Sequence, residues 1–574
     1  MTDYIIRNGF VYDPVLGING DIMDVAVRDG KIVDAGDVTK ATEIDASGMT
    51  VMAAAVDIHA HVAGPKVNVG RNFRPEDKLF NCNVGSGVKR MEAGFSVPTT
   101  IRTGYLYARM GFGFSMEAAM PPLYARHTHE EIVDTPIIDQ GALPVFGNNW
   151  FVLEYIKENE VENTAAYIAW LLAQTKGYGV KCVNPGGTES WGWGMNCETV
   201  DDVVPYFDVT PRQIVDGLIA ANEMLGLPHC MHVHGNSLGE PGNYGVTLDT
   251  LKIAEGHKPN NEFGRESVLH HTHLQFHCYG GESYASKSFE SKSKEVMDYV
   301  NSTDNITFDL GVVTLDETTT MTADGPFEFH LSHMNSLKWA NTDVELETGS
   351  GIVPFIYNPK TFIAGAQWAV GLELGLLVKD PMKAYVTTDA PNAGPLMRYP
   401  RVYKWLMSAK AREDMLNNVL KYGDSIRARC YIGELDREIS LYELAMMTRA
   451  GPAKTLGLGH MFGSLKAGLE GDVAVYPYNP ESDTDDPEKI EYAFGNCATL
   501  IKGGELIIKE GEVVSNGRQK RTFWVNAKTN ENPVVERDIS EKFKRYYTVT
   551  QNNYTVEGHH YMPNPYVIEV DATK

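Results

Sequence analysis

The chain has 574 residues, enough for about three or four average domains or for one large barrel with a satellite. With 43% hydrophobic and 22% charged residues it is globular, and a net charge of −24 excludes nucleic acid and anionic membranes as expected partners. No apolar run is long enough to span a bilayer, Met1-Thr2-Asp3-Tyr4 gives no expectation of a secretory signal, and the seven scattered cysteines form no CxxC pair. A cytoplasmic protein with reduced thiols is expected, without a disulfide framework or a cysteine-bound cluster of its own.

Residues 2–52 read as short strands joined by tight turns. Tyr4-Ile5-Ile6 runs into Asn8-Gly9, and Asp24-Val25-Ala26-Val27 into Asp29-Gly30, both strong hairpin signals. From 53 to 450, apolar runs alternate with helical patterns, the mark of parallel βα units. Strands are predicted at 54–61, 96–103, 142–148, 179–185, 228–235, 267–275, 306–314 and 384–389. Helices are predicted at 161–176, 211–226, 291–301, 403–421 and 439–449. Eight such strands, without a glycine-rich phosphate fingerprint, fit a (β/α)8 TIM barrel with loop insertions better than an open sheet. Residues 451–525 return to hairpin patterns, with turns at Gly503-Gly504 and Glu510-Gly511. The expected fold is therefore α/β: a barrel over 53–450 beside a small β-sandwich built from 1–52 and 451–525. The polar, proline-punctuated tail, 526–574, reads as an arm laid over a surface, its own or that of a partner protein.

Val56-Asp57-Ile58-His59-Ala60-His61 places an HxH pair at the end of the first barrel strand. Residues two apart on a strand share a face, so both imidazoles can grip one metal ion. A second HxH, His127-Thr128-His129, lacks that context. It follows Pro121-Pro122, and Thr128 with Glu131 reads as a capping box that opens a helix. A barrel carries its chemistry at the C-terminal strand ends, so metal-capable side chains at the other strand ends are the candidates. These are Lys181, then His232 and His234, then His271 and His273, and last Asp389.

Imidazole and carboxylate suit Zn²⁺, and two ions could share these ligands. Within each histidine pair the member nearer the rim is favoured, His234 and His273, leaving His232 and His271 as supporting residues or as their replacements. His229 and His270 are expected to point the other way, into the core or an interface. His277 and Cys278 are expected to lie in a loop lining the pocket. A charged lysine in a barrel wall is costly, and burial lowers its pKa. The neutral amine of Lys181 can then react with CO₂ to give a carbamate bridging two metals. An ion-paired lysine is the alternative, and the five ordered partners favour the carbamate.

This order of HxH, lysine, histidine, histidine and aspartate resembles the amidohydrolase superfamily, as does the return through Thr448-Arg449-Ala450-Gly451-Pro452. Longer stretches are similar to the family of formylmethanofuran dehydrogenase A subunits. They include His59-Ala60-His61-Val62-Ala63-Gly64-Pro65-Lys66, Gly147-Asn148-Asn149, His234-Gly235-Asn236 to Asn243, His271-Thr272-His273 to His277, and Thr388-Asp389-Ala390-Pro391-Asn392. One departure is Met52-Ala53-Ala54-Ala55 where the family carries Pro-Gly, which alters a turn and no ligand.

The resemblance implies a binuclear zinc site of His59, His61, carboxylated Lys181, His234, His273 and Asp389. It implies condensation of formate with the amine of methanofuran to give formylmethanofuran, and the reverse hydrolysis. Metals would polarise the formyl oxygen, and Asp389 would relay a proton to the leaving amine. Arg71, Asn184 and Asn236 stand where they could orient formate or the furan substituents. Formate would come from CO₂ at a tungsten or molybdenum pterin on a different chain of a complex that also holds iron–sulfur subunits. Two other readings are a cyclic-amide hydrolase of hydantoinase or dihydroorotase type and a metal-free barrel kept as a scaffold. The first shares the fold and metals but not the long motifs. The second sits poorly with six metal-competent positions.

Overall fold

The structure is a computed structural model that describes residues 2–284, 288–342, 349–546 and 550–573. Eight parallel strands make its centre: β1 (Ala55–Ala60), β2 (Phe112–Met120), β3 (Asp139–Pro144), β4 (Lys181–Val183), β5 (Met231–His234), β6 (Leu269–His271), β7 (Ile306–Asp309) and β8 (Ala384–Tyr385). Hydrogen bonding groups β1–β3 in one sheet and β4–β8 in another. The two meet where Val145, just past β3, bridges Lys181. At the opposite margin, the His61 amide beyond β1 donates to Ala390 O beyond β8 at 2.7 Å. All eight strands are buried on both faces, as parallel strands flanked by helices must be.

The connecting helices carry their own boundary signals. Pro211–Leu225 opens on a capping box between Thr210 and Gln213 and closes on Gly226 at φ 69. One predicted strand is corrected. Residues 96–103 contain no strand: the Thr99 hydroxyl accepts from the Arg102 amide and starts the helix Thr100–Arg109. The β-branched run Val97–Ile101 imitates a strand, but a capped helix buries Tyr105 and Tyr107 better, and the second strand falls to Phe112–Met120. Predicted helix 403–421 is broken into Tyr399–Met407, Ala409–Asp414 and a wide turn, Met415–Val419.

The β layers from the two chain ends meet in one nine-stranded sheet. The long strand Tyr4–Asp13 pairs with Ile18–Arg28 on one side, and with Thr42–Asp45 and then Thr50–Ala53 on the other. Val473–Tyr476 pairs with Thr50–Ala53 and carries the strands from 499 to 513 into the same sheet. Val11, Val27, Val51, Val473 and Ile501 fill its separate apolar core.

The tail lies on its own chain. Thr522–Lys528 pairs in parallel with the start of β3, and Pro565–Asp571 pairs with it in turn. The helix Pro533–Tyr546 is tied down by a 3.1 Å hydrogen bond from Tyr155 Oη to Asp538 and a 3.0 Å ion pair between Lys542 and Glu154. Asp139 at the head of β3 holds Lys502 and Arg521, each at 2.8 Å, so one buried carboxylate anchors both late segments. The described cysteines are all free thiols, and no helix among the described residues is long and apolar enough to cross a membrane.

Candidate metal centre

The strand ends bring five of the six predicted ligands into direct contact. His59 Nε2 lies 3.0 Å and His61 Nε2 3.5 Å from the same oxygen, Asp389 Oδ1. His273 Nε2 lies 3.1 Å from His234 Nδ1, and its ring is edge-on to His59 with 5.4 Å between centroids. These separations are those of ligand atoms around a shared cation. His59, His273 and Asp389 form one buried group able to hold an ion, and His59, His232 and Asp309 form another. The sixth residue, Lys181, pairs in register with His232, which touches His59.

Lys181 is 1% exposed, and its Nζ has no hydrogen-bond partner in the described structure. Burial pushes its pKa down to about 7, against the pull of Asp309 and Asp389. A buried, unpartnered amine near carboxylates, with its pKa lowered toward neutrality, is compatible with carbamate chemistry. Burial also raises Asp389 to about 6, although His61 and a hydrogen bond from Asn392 oppose the shift. Asn392 Nδ2 donates to both Asp389 oxygens, at 3.0 and 3.1 Å.

Two carboxylates that sequence reasoning missed orient the imidazoles. Glu117, near the end of β2, places Oε1 3.4 Å from His61 Nδ1, while its Oε2 accepts from the amides of Val62 and Ala63. Asp324 places Oδ2 3.1 Å from His234 Nε2. Each turns the opposite ring nitrogen toward the common centre, the arrangement that fixes a metal-binding tautomer. Glu117 escapes notice when the second strand is set at 96–103, and a lone glutamate inside the apolar run 112–120 is the signal that could have found it. Asp324 comes from an insertion between β7 and β8, and nothing in its spacing marks it.

The histidine faces also need correcting. His270, expected to point the other way, is opposite His232 in register, and their tilted rings lie 4.5 Å apart between centroids. His270 Nε2 meets Asp309 at 3.1 Å. His229, expected in the core or an interface, is buried as a core residue and bonds His232 at 3.0 Å. The inward set on this strand is therefore His270 and Thr272, and His273 reaches the site only because its backbone turns left-handed, φ 35. Asp389 (φ 43) and Asn184 (φ 42) share that conformation. Non-glycine residues held there cost about 1–3 kcal/mol each, and such strain concentrates at functional sites.

The other predicted residues fall as follows. Asn184 donates to Asn196 and Asp324, and Asn236 donates to Asn184 Oδ1 at 2.9 Å. Together they brace Asp324 behind His234. Arg71 is buried and bound to Glu131 at 2.8 Å and to Pro98 O, so it holds the loop after β1 in place. His277 is buried against His271 and His273. His127 and His129 sit within the helix Ala125–Asp134, which begins earlier than the proposed cap at Thr128. A small pocket lined by His234, Leu238, His273, Phe276, Tyr357 and Asp389 lies at the site.

Residues 42–514 match the amidohydrolase family. Protein FwdA of Methanocaldococcus jannaschii is 52% identical over 575 residues, covering 100% of this chain and 99% of that protein. The A component of the formyltransferase/hydrolase complex Fhc of Methylorubrum extorquens is 33% identical over 529 residues, 91% of this chain and 90% of its own length. The crystal structure of the FhcABCD complex of Methylorubrum extorquens with methylofuran contains a chain that superposes with a TM-score of 0.88 at 30% identity, covering 99% of both chains.

Proposed function

Since the chain belongs to the amidohydrolase family, and within it to the group of the two relatives above, we propose that it is the formyl-amide component of a formylmethanofuran dehydrogenase. It condenses formate with the amine of methanofuran and hydrolyses formylmethanofuran in reverse. The neighbour solved with methylofuran supports a furan amine as the substrate class. The reading places the chain in a cytoplasmic complex with a tungsten- or molybdenum-pterin subunit that makes formate and with iron–sulfur subunits. We read the two parallel sheets as one (β/α)8 barrel over 53–450. We read the terminal sheet as a β-sandwich built from 1–52 with 451–525, and 526–574 as an extension.

His59, His61 and Asp389 would hold one zinc ion and His234 and His273 a second, with carboxylated Lys181 between them. The observation that carries this reading is the donor set itself. Lys181 Nζ is buried without a hydrogen bond, His59 Nε2 and His61 Nε2 converge on one Asp389 oxygen, and Glu117 and Asp324 stand at the far sides of His61 and His234. Buried polar atoms are left unpaired only at a cost of about 1–3 kcal/mol each, and a cation would remove it. When bound, zinc polarises a carbonyl and makes water nucleophilic near neutral pH.

The chain's own groups do the rest. The Asp389 carboxylate, held in place by Asn392, would take one proton from the attacking water and return it to the leaving amine. In synthesis the same carboxylate accepts the proton of the attacking amine. Leu238, Phe276 and Tyr357 exclude bulk water from the pocket, which strengthens every charge interaction within it.

The test is zinc analysis of protein purified without chelator, together with hydrolysis of formylmethanofuran, hydantoin and dihydroorotate. About two zinc ions per chain and turnover of the formamide alone are expected. Turnover of only the cyclic amides would replace this reading, and protein with well under one zinc per chain would restore the scaffold.

A further inference from the structure

Among the described residues, no carboxylate is in hydrogen-bond contact with His59 Nδ1 as Asp324 is with His234 Nε2. His59 Nδ1 instead meets His232 Nε2 at 2.9 Å. His232 Nδ1 meets His229 Nε2 at 3.0 Å, and His229 Nδ1 meets the backbone oxygen of Thr455 at 2.9 Å. Three rings thus form a line from the candidate metal centre to the Thr455 carbonyl, with the Thr272 hydroxyl as a side contact at His59 Nδ1. All three are buried, at 1% exposure or less. The nearby carboxylate, Asp309, is already engaged by His270 Nε2 and by the Thr387 hydroxyl.

A carbonyl oxygen only accepts, so His229 must carry its proton on Nδ1. A neutral His229 then has a lone pair on Nε2, and His232 must donate to it from Nδ1. His232 Nε2 is left as an acceptor, so His59 must carry its proton on Nδ1, leaving Nε2 bare toward Asp389 and the cation. The opposite order would set two lone pairs together at Thr455 or require a buried imidazolium at His229. His229 is fully buried, and an unpaired buried charge there would be costly. The Thr272 hydroxyl also lies against His59 Nδ1 and can accept a share of the same proton.

We infer that the Thr455 carbonyl, acting through His229 and His232, sets the tautomer of His59 and so prepares its Nε2 to bind metal before any metal arrives. His229 and His232 are positioning residues. The inference rests on the metal reading above for its purpose, but the tautomer itself is measurable without metal.

The experiment uses the full chain stripped of zinc by chelation. Neutron diffraction, or long-range ¹⁵N–¹H spectra of histidine-labelled protein, should find the ring proton on Nδ1 of His59, His232 and His229. Zinc affinity is then compared by chelator competition for His229→Phe and His229→Gln. Phenylalanine removes the polar link, and its zinc affinity should fall about 10–100-fold, with an Nε2–H form of His59 appearing. Glutamine can donate to Thr455 O and accept from His232, and should stay within about threefold of the parent. A proton on His59 Nε2 in the zinc-free parent would overturn the inference, as would unchanged affinity and tautomer in His229→Phe. If His229→Phe does not fold, the parent measurement alone still decides. Failure of the metal reading looks different: the parent would bind no zinc, whatever the tautomer.

Discussion

The two halves of the candidate centre are held in different ways. His59, His61 and Asp389 are fixed by groups on or next to the parallel strands: Glu117 on β2, the His232–His229 line from β5, and Asn392 just after β8. His234, by contrast, is fixed by Asp324, which belongs to the insertion between β7 and β8. Asp324 caps the helix Gly325–Asn335 and follows the strand Glu317–Thr322, which is paired with Ser350–Ile356. One half is therefore preorganised by the core itself. The other is completed only when an inserted hairpin and helix dock. In the proposed site Lys181 joins the two halves.

That contrast can be broken most severely at the shared residue. Lys181→Ala should abolish paired zinc binding and cut formyl-amide turnover by about a thousandfold or more, since several kcal/mol of metal stabilisation are lost. Metal content and rate measured on one preparation check it, and retention of both would remove the carbamate.

Asp324→Ala should act on one half alone. Zinc should fall from two toward one per chain, with the weaker site losing about 10–100-fold in affinity. Equal loss of both ions would show that the halves are not separately supported. Glu117→Gln should weaken the other half by about tenfold, because a neutral amide cannot serve His61 and two backbone amides as a carboxylate does. Circular dichroism and chelator competition separate this from misfolding.

The smallest effect concerns assembly of the bridge. A lysine whose pKa lies near 7 is mostly neutral at pH 8 and mostly charged at pH 6. At fixed dissolved CO₂, zinc reconstitution of stripped protein should therefore slow by about tenfold between those two values. It should also depend on CO₂ being present. A rate indifferent to both would argue for a free amine at this position.

The strand-end residues are readable in the chain because parallel strands are short apolar runs that end abruptly, and polar side chains at those ends stand out. The reading fails where a neighbouring signal is stronger. Val97–Ile101 looks like a strand, yet Thr99 caps a helix there, and with the displaced strand goes Glu117. Strict alternation also misassigns His270, because the left-handed turn at His273 changes the face mid-run. Arg71 looks available for substrate and is instead consumed by Glu131 and Pro98 O.

What the linear order determined by itself was the chemistry on offer: which donors exist, and that each falls where an apolar strand stops. Local periodicity encodes that much, because burial and strand length are short-range properties. Which ring nitrogen faces the centre, which carboxylate stands behind it, and whether His229 belongs to the site were decided only by the tertiary structure. Those relations join residues a few ångströms apart in space but up to hundreds apart in the chain, and no spacing rule connects them.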